Sequence, residues 1–143
     1  MQTYVGTKIV NAAPMSREEY NDLQGWEMPK GQNGADEGYL VEYVGSAPNH
    51  DDFDSYISWS PKEEFDKAYL ILNTELEQDY QVRMVAELTQ LEAKVQKLGA
   101  YITSDKFGEL DPRKADLLRR QMDYMNMYTS ILTQRVGLEQ SEE

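Results

Sequence analysis

The basic side chains that fall together in this acidic chain are the first candidates for chemistry. Arg113, Lys114, Arg119 and Arg120 form a basic cluster, and Tyr124 and Tyr128 follow Arg119 one and two turns further along a predicted helix. Guanidinium groups bind phosphate oxygens in bidentate fashion, and aromatic rings stack on bases or cations. Arg119, Arg120, Tyr124 and Tyr128 are therefore the candidate ligand-binding residues, suited to a small phosphorylated molecule. The same four residues also fit a solvated, salt-bridged helix face with buried tyrosines. A polymeric nucleic acid is a different matter. The chain carries 14 Lys and Arg against 26 Asp and Glu, a net charge of −12, and long nucleic acids are bound largely through cationic counterion release. Sequence-specific nucleic-acid binding is not expected, whereas a local positive pocket stays open to a nucleotide.

No residue set points to catalysis. The absence of Cys removes thiolate nucleophiles, zinc-thiolate sites and disulfides, and a single His removes multi-His metal centres. His50 lies in Asn49-His50-Asp51-Asp52, where a His–Asp pair suits metal ligation or proton shuttling, but an exposed loop His more often has neither role. Asp51, Asp52 and Asp54 lack the central Gly and terminal Glu of a calcium loop. There is no GxGxxG, P-loop, GxSxG or HExxH pattern. The expectation is a binding protein and not an enzyme, with no cofactor and no metal.

The elements that must position these residues fall into two parts, residues 1–72 and 73–143. Residues 1–69 carry five Lys/Arg against thirteen Asp/Glu, net −8, and residues 70–143 carry nine against thirteen, net −4. Strands are predicted at Tyr4–Val10, Gly38–Val44 and Tyr56–Trp59, from β-branched and aromatic enrichment between turn-rich loops. Two short helices are announced by capping boxes at Ser16-Arg17-Glu18-Glu19 and Ser60-Pro61-Lys62-Glu63, the first with a Met15/Tyr20 staple and Gly25 as its stop. The expected small core is Trp26, Tyr39, Val41, Tyr43, Trp59 and Phe65.

The second part is helical. Met84, Leu88, Leu91, Val95, Leu98 and Ile102 alternate steps of four and three, a heptad seam. The Thr74-Glu75-Leu76-Glu77 capping box is the candidate start of that helix. After a break at Ser104–Leu110, Asp111-Pro112 caps a second helix whose stripe is Leu118, Met122, Met125, Thr129, Leu132 and Val136. So short a connection predicts an antiparallel helical hairpin. The expected fold class is α+β, a small antiparallel sheet with short helices followed by the long hairpin. A two-helix hairpin has no interior of its own, so homo-oligomerisation is expected through Leu88, Leu91, Val95, Leu98, Met122 and Met125. With 143 residues, no apolar run near the roughly 18 of a membrane span, and a start that lacks the order of a signal peptide, the chain reads as intracellular and membrane-free.

Two segments carry resemblances. Gly6-Thr7-Lys8-Ile9-Val10, Ala13-Pro14-Met15-Ser16-Arg17-Glu18-Glu19-Tyr20, Gly25-Trp26, Glu37-Gly38-Tyr39-Leu40-Val41-Glu42-Tyr43 and Tyr56-Ile57-Ser58-Trp59-Ser60-Pro61-Lys62 resemble a small module of tailed-phage and prophage proteins that is often fused to a Thoeris anti-defence domain. Arg83-Met84-Val85-Ala86-Glu87-Leu88, Lys97-Leu98, Leu117-Leu118-Arg119-Arg120-Gln121-Met122 and Tyr128-Thr129-Ser130-Ile131-Leu132 resemble the helical-hairpin domain of small proteins from crAss-like and other phages. The resemblance implies a phage counter-defence protein in the host bacterial cytoplasm. Its leading mechanism is sequestration, as a sponge, of a cyclic oligonucleotide or cyclic ADP-ribose-type signal; the signal-binding Thoeris anti-defence domain itself is absent. The rivals are an acidic inhibitor that binds a basic host defence or nucleic-acid-processing protein, and a non-enzymatic phage assembly adaptor.

Overall fold

The structure, a computed structural model, describes residues 1–142. It is α+β: a three-stranded antiparallel sheet with two short helices, then two long helices. The chain divides into two compact units, Met1–Tyr69 and the chain from Leu70 onward.

The first unit runs β1 (Asn11–Pro14), α1 (Arg17–Gln24), β2 (Gly38–Tyr43), β3 (Tyr56–Pro61) and α2 (Lys62–Ala68), with sheet order β1-β2-β3. The strand expected at Tyr4–Val10 does not form; pairing starts at Asn11, opposite Glu42, and ends at Pro14, opposite Tyr39. The reason lies in the partner. Continuing this register upstream would set Ile9 and Lys8 against Val44 and Gly45, where β2 has already turned through Gly45 at φ 82°. Residues with strand propensity but no ladder to join stay outside the sheet, and Tyr4 and Val5 are exposed. Pro14 is tolerated because β1 is an edge strand.

Helix α1 has the expected termini. The Glu19 amide donates to Ser16 Oγ at 3.2 Å, and the Ser16 amide donates to Glu19 Oε2 at 2.7 Å. That backbone bond from Ser16 holds the Glu19 carboxyl below its ordinary range. Gly25, at φ 70°, closes the helix in the left-handed region. The Ser60 capping box does not form, because Ser60 is held in the ladder opposite Tyr39 and Pro61 becomes the residue preceding α2.

Alternation along β2 and β3 sends Leu40, Ile57 and Trp59 to one face and Tyr39, Val41 and Tyr43 to the other. On the first face Tyr20, Leu40 and Ile57 form a buried cluster against which Met15, Leu23, Phe53 and Trp59 pack. On the second, Val41 is buried and Tyr39, Phe65 and Tyr69 stack with centroids 4.3 and 4.6 Å apart. Trp26 is not a core residue: it is 58% exposed, with its ring edge-on to Tyr20. The Gly25 turn and the bond from the Trp26 amide to the Asn21 carbonyl, at 2.8 Å, fold it back along α1 instead of under the sheet. The core instead uses Tyr20, Leu40 and Ile57.

The second unit holds α3 (Asp79–Ile102), a 3-10 turn (Asp105–Glu109) and α4 (Pro112–Ser141). Helix α3 starts later than the Thr74 box suggests. Thr74 Oγ1 accepts from the Leu76 amide at 3.1 Å, a local turn that competes with helix, and Gln78 takes the cap position with its amide on Gln81 Oε1 at 3.3 Å. Asp111 caps α4, accepting from the Arg113 amide at 2.8 Å. The two long helices are antiparallel: Gln81 meets Glu139, Glu87 meets Tyr128, and Gly99 lies beside Met122. Their seam buries Leu76, Met84, Val85, Leu91, Leu132 and Val136, with Leu88, Val95 and Met125 packed against them. No helix among the described residues is long and apolar enough to cross a membrane.

Candidate ligand-binding and assembly face

Helix α4 positions every candidate ligand residue, and its 3.6-residue pitch separates them. Arg120, Tyr124 and Tyr128 stand at i, i+4 and i+8 and therefore share one face, whereas Arg119 lies about 100° away. The Arg119 guanidinium covers the ring of Phe107, 4.8 Å from its centroid. Phe107 is buried in the 3-10 turn and meets Tyr101 edge-on at 5.9 Å. Arg119 thus closes the turn end of the hairpin, and Arg120 is the arginine that joins the tyrosines.

Arg120 is lightly engaged. Its Nη1 is 3.7 Å from Asp116 Oδ2, and both side chains are exposed, so the pair is a weak, screened one. Tyr124 is 65% exposed. Tyr128 is anchored: its hydroxyl donates to Glu87 on α3, a bond that raises the phenol above its ordinary value. A second tie closes the open end of the hairpin. Tyr80 Oη and Gln81 Nε2 donate to Glu139 Oε2 at 2.9 and 2.8 Å, which pulls the Glu139 carboxyl down and the Tyr80 phenol up. The face therefore offers one loosely held cation, one free aromatic ring and one fixed ring.

The residues expected at an oligomer interface sit differently. Leu91 is buried in the hairpin seam, Leu88, Val95 and Met125 pack against it, and Met122 reaches Gly99. Leu98 is half-buried. Within one chain Leu88, Leu91, Val95, Met122 and Met125 already serve the contact between α3 and α4. The large apolar side chains that α4 leaves exposed are Leu117, Tyr124, Met127, Tyr128, Ile131 and Leu138. This second stripe, absent from the expected interface, has a sequence signal of its own: 117, 124, 131 and 138 are seven apart. It was hidden by the stronger stripe that fills the seam.

The remaining candidates resolve as structural residues. His50 Nε2 lies 3.1 Å from the Leu23 carbonyl, Nδ1 accepts from the Asp52 amide at 3.1 Å, and the ring meets Phe53 edge-on. His50 pins the acidic loop to α1. Trp59 Nε1 donates to the Met15 carbonyl at 2.8 Å, and the Arg17 guanidinium lies 4.5 Å from its ring centroid. The concavity beside Trp59 sets Arg17 and Lys62 among Asp36, Glu37, Glu63 and Asp66, with Lys62 on Asp66 at 2.9 Å. Four carboxylates around two engaged cations do not suit an anion.

No curated protein and no solved structure matches the chain significantly. Residues 78–138 match the model of the Sequestin family. That match takes in α3, the 3-10 turn and nearly all of α4, including Arg119, Arg120, Tyr124 and Tyr128, and it covers less than half of the chain.

Proposed function

We propose that this protein binds and sequesters a nucleotide immune signal, of the cyclic oligonucleotide or cyclic ADP-ribose type, without catalysis. It would act as a phage counter-defence protein in the cytoplasm of the host bacterium and work as a homo-oligomer assembled through the hairpin. The observation that carries this reading is the coincidence of the Sequestin match with the Arg120–Tyr124–Tyr128 row. The family name denotes sequestration, and the row supplies a phosphate-binding guanidinium one turn from an exposed aromatic ring. Sequestration requires affinity and no reacting group, which agrees with a surface of cations and rings. Arg120 makes the main phosphate contact, and Tyr124 or Tyr128 lies against a base. Arg119 contributes less, because its guanidinium is already spent on Phe107.

Calorimetry against a panel of cyclic dinucleotides, cyclic trinucleotides and cyclic ADP-ribose isomers tests this reading. One class should bind, and Arg120→Ala should weaken it by roughly ten- to a hundred-fold, the loss of a charge-assisted bond worth about 1.5–3 kcal/mol. Arg119→Ala should have the smaller effect. Unchanged affinity in both variants returns the arginines to a solvated helix face. A second reading rests on charge: residues 1–69 carry net −8, a surface fit to block a basic host protein. In that case the protein ignores every nucleotide and retains a basic partner in a salt-sensitive pull-down.

A further inference from the structure

The outer stripe of α4 has an internal order that the hairpin does not use. Leu117, Tyr124, Ile131 and Leu138 recur every seven residues, with Met127 and Tyr128 at the centre, and all six are 42–65% exposed. Seven residues fall 20° short of two turns, so the stripe runs almost straight along the helix for roughly 32 Å, and it lies about 130° around α4 from the seam. At these exposures, and at roughly 200 Å² for a large side chain, about 700 Å² of apolar surface is uncovered. That exceeds the ~300–600 Å² of the largest patch on an ordinary monomer and approaches the ~800 Å² per partner of a standard interface.

The stripe is also a palindrome. Reversal about the midpoint between Met127 and Tyr128 exchanges Leu117 with Leu138, Tyr124 with Ile131, and Met127 with Tyr128. A two-fold interface demands this reciprocity, since each residue that meets another must be met by it in turn. Charge and dipole choose the direction. An antiparallel copy sets Arg113 opposite Glu142 and opposes the two helix dipoles, whereas a parallel copy sets Arg113 on Arg113 and aligns them.

The same reversal brings Arg120 opposite Arg135, on the same stripe. Arg135 has no carboxylate within ion-pair distance among the described residues. Two guanidiniums facing each other repel; Asp116, 3.7 Å from Arg120 and exposed, and Glu139, one turn from Arg135, offset that only in part, so an anion between the arginines is stabilised. We infer that two copies of this chain pair antiparallel along the outer stripe of α4, and that each Arg120 with Arg135 of the second copy forms a phosphate-binding site that a single chain cannot complete. This deepens the sequestration reading and rests on it for the identity of the anion, not for the pairing. Ligand binding and pairing are then linked: an anion bound between copies tightens the dimer.

The Cys-free sequence makes the test direct. Met127→Cys and Leu117→Cys, both at exposed positions, are oxidised separately, and Leu117→Cys is also mixed with Leu138→Cys. Antiparallel pairing predicts a self-linked Met127→Cys dimer, no Leu117→Cys homodimer, and a linked Leu117→Cys/Leu138→Cys heterodimer. A Leu117→Cys homodimer, or a wild-type chain that is monomeric by light scattering at tens of micromolar, overturns the inference. With inorganic pyrophosphate as probe, sedimentation should show self-association strengthened several-fold in the wild type and not in Arg135→Gln, whose cross-linking pattern stays unchanged. Equal response to pyrophosphate in both overturns the shared site. Arg120-dependent nucleotide binding by a permanent monomer would defeat this inference and leave sequestration standing; a cross-linked dimer that binds no nucleotide would do the reverse.

Discussion

The sheet unit and the helical hairpin handle apolar surface in opposite ways. In the first, both faces of the sheet are covered from within: α1 brings Tyr20 and Leu23 to one side and α2 brings Phe65 to the other. Strand spacing there is so close that a Cβ on Gly38 would lie 2.4 Å from the Trp59 ring and from the Ser60 carbonyl. In the hairpin, one seam takes one stripe of each helix, and α4 carries a second stripe that stays exposed among the described residues. The difference teaches where interaction is built. A sheet covered by its own helices keeps its central apolar rows inside, whereas a helix with two apolar stripes in a two-helix hairpin buries one and leaves the other at the surface.

The contrast can be broken most forcefully in the hairpin. Leu132 is fully buried between the helices, and Leu132→Ala should destabilise the hairpin by about 3–4 kcal/mol through lost burial and a cavity. Both tryptophans, Trp26 and Trp59, lie in the sheet unit, so helical circular dichroism reports the hairpin while tryptophan fluorescence reports the sheet. The dichroism midpoint should fall. A midpoint unchanged from wild type would mean that the seam is not the hairpin's core.

The converse variant is Gly38→Ala, for which a cost of about 2–3 kcal/mol is expected from overpacking against backbone that cannot move aside. Fluorescence should register it, with the helical signal retained. If the variant melts like wild type by fluorescence, the close approach of β2 and β3 around Trp59 is wrong.

The smallest effect sharpens the comparison through pH. The Tyr128 and Tyr80 phenols are raised, first by their hydrogen bonds to Glu87 and Glu139. A tyrosine whose folded value lies above its unfolded value of about 10 stabilises fully below that value and loses the contribution as pH rises through the raised one. The dichroism midpoint should therefore drop further between about pH 9 and about pH 11 in the wild type than in a Tyr80→Phe/Tyr128→Phe variant. Equal slopes would show that these bonds tie nothing together.

Several features were legible because their causes are local. Ser16 and Glu19 cap each other within four residues, Gly25 supplies the left-handed turn, and the stripe from Met84 to Ile102 repeats at the pitch of a helix. Features that depend on a distant partner were not. Tyr4–Val10 has strand propensity, but in this register β2 reaches only Val10, opposite Tyr43, and ends before Ile9. Ser60 has a cap's chemistry, but the ladder to Tyr39 claims its backbone. Within the candidate site, residue types pointed to Arg119 and Arg120 alike; the position of Phe107 is what separates them.

By itself the sequence determined composition, charge, the α+β order of elements and the two long amphipathic helices, because propensity, capping and periodicity act within a few residues of their cause. Tertiary structure decided which stripe of α4 the hairpin consumes, which arginine stands beside Tyr124 and Tyr128, and where β1 begins. Those outcomes turn on the angle between neighbouring helices and the length of a neighbouring strand, and a side chain's surroundings exist only once the elements that supply them have packed.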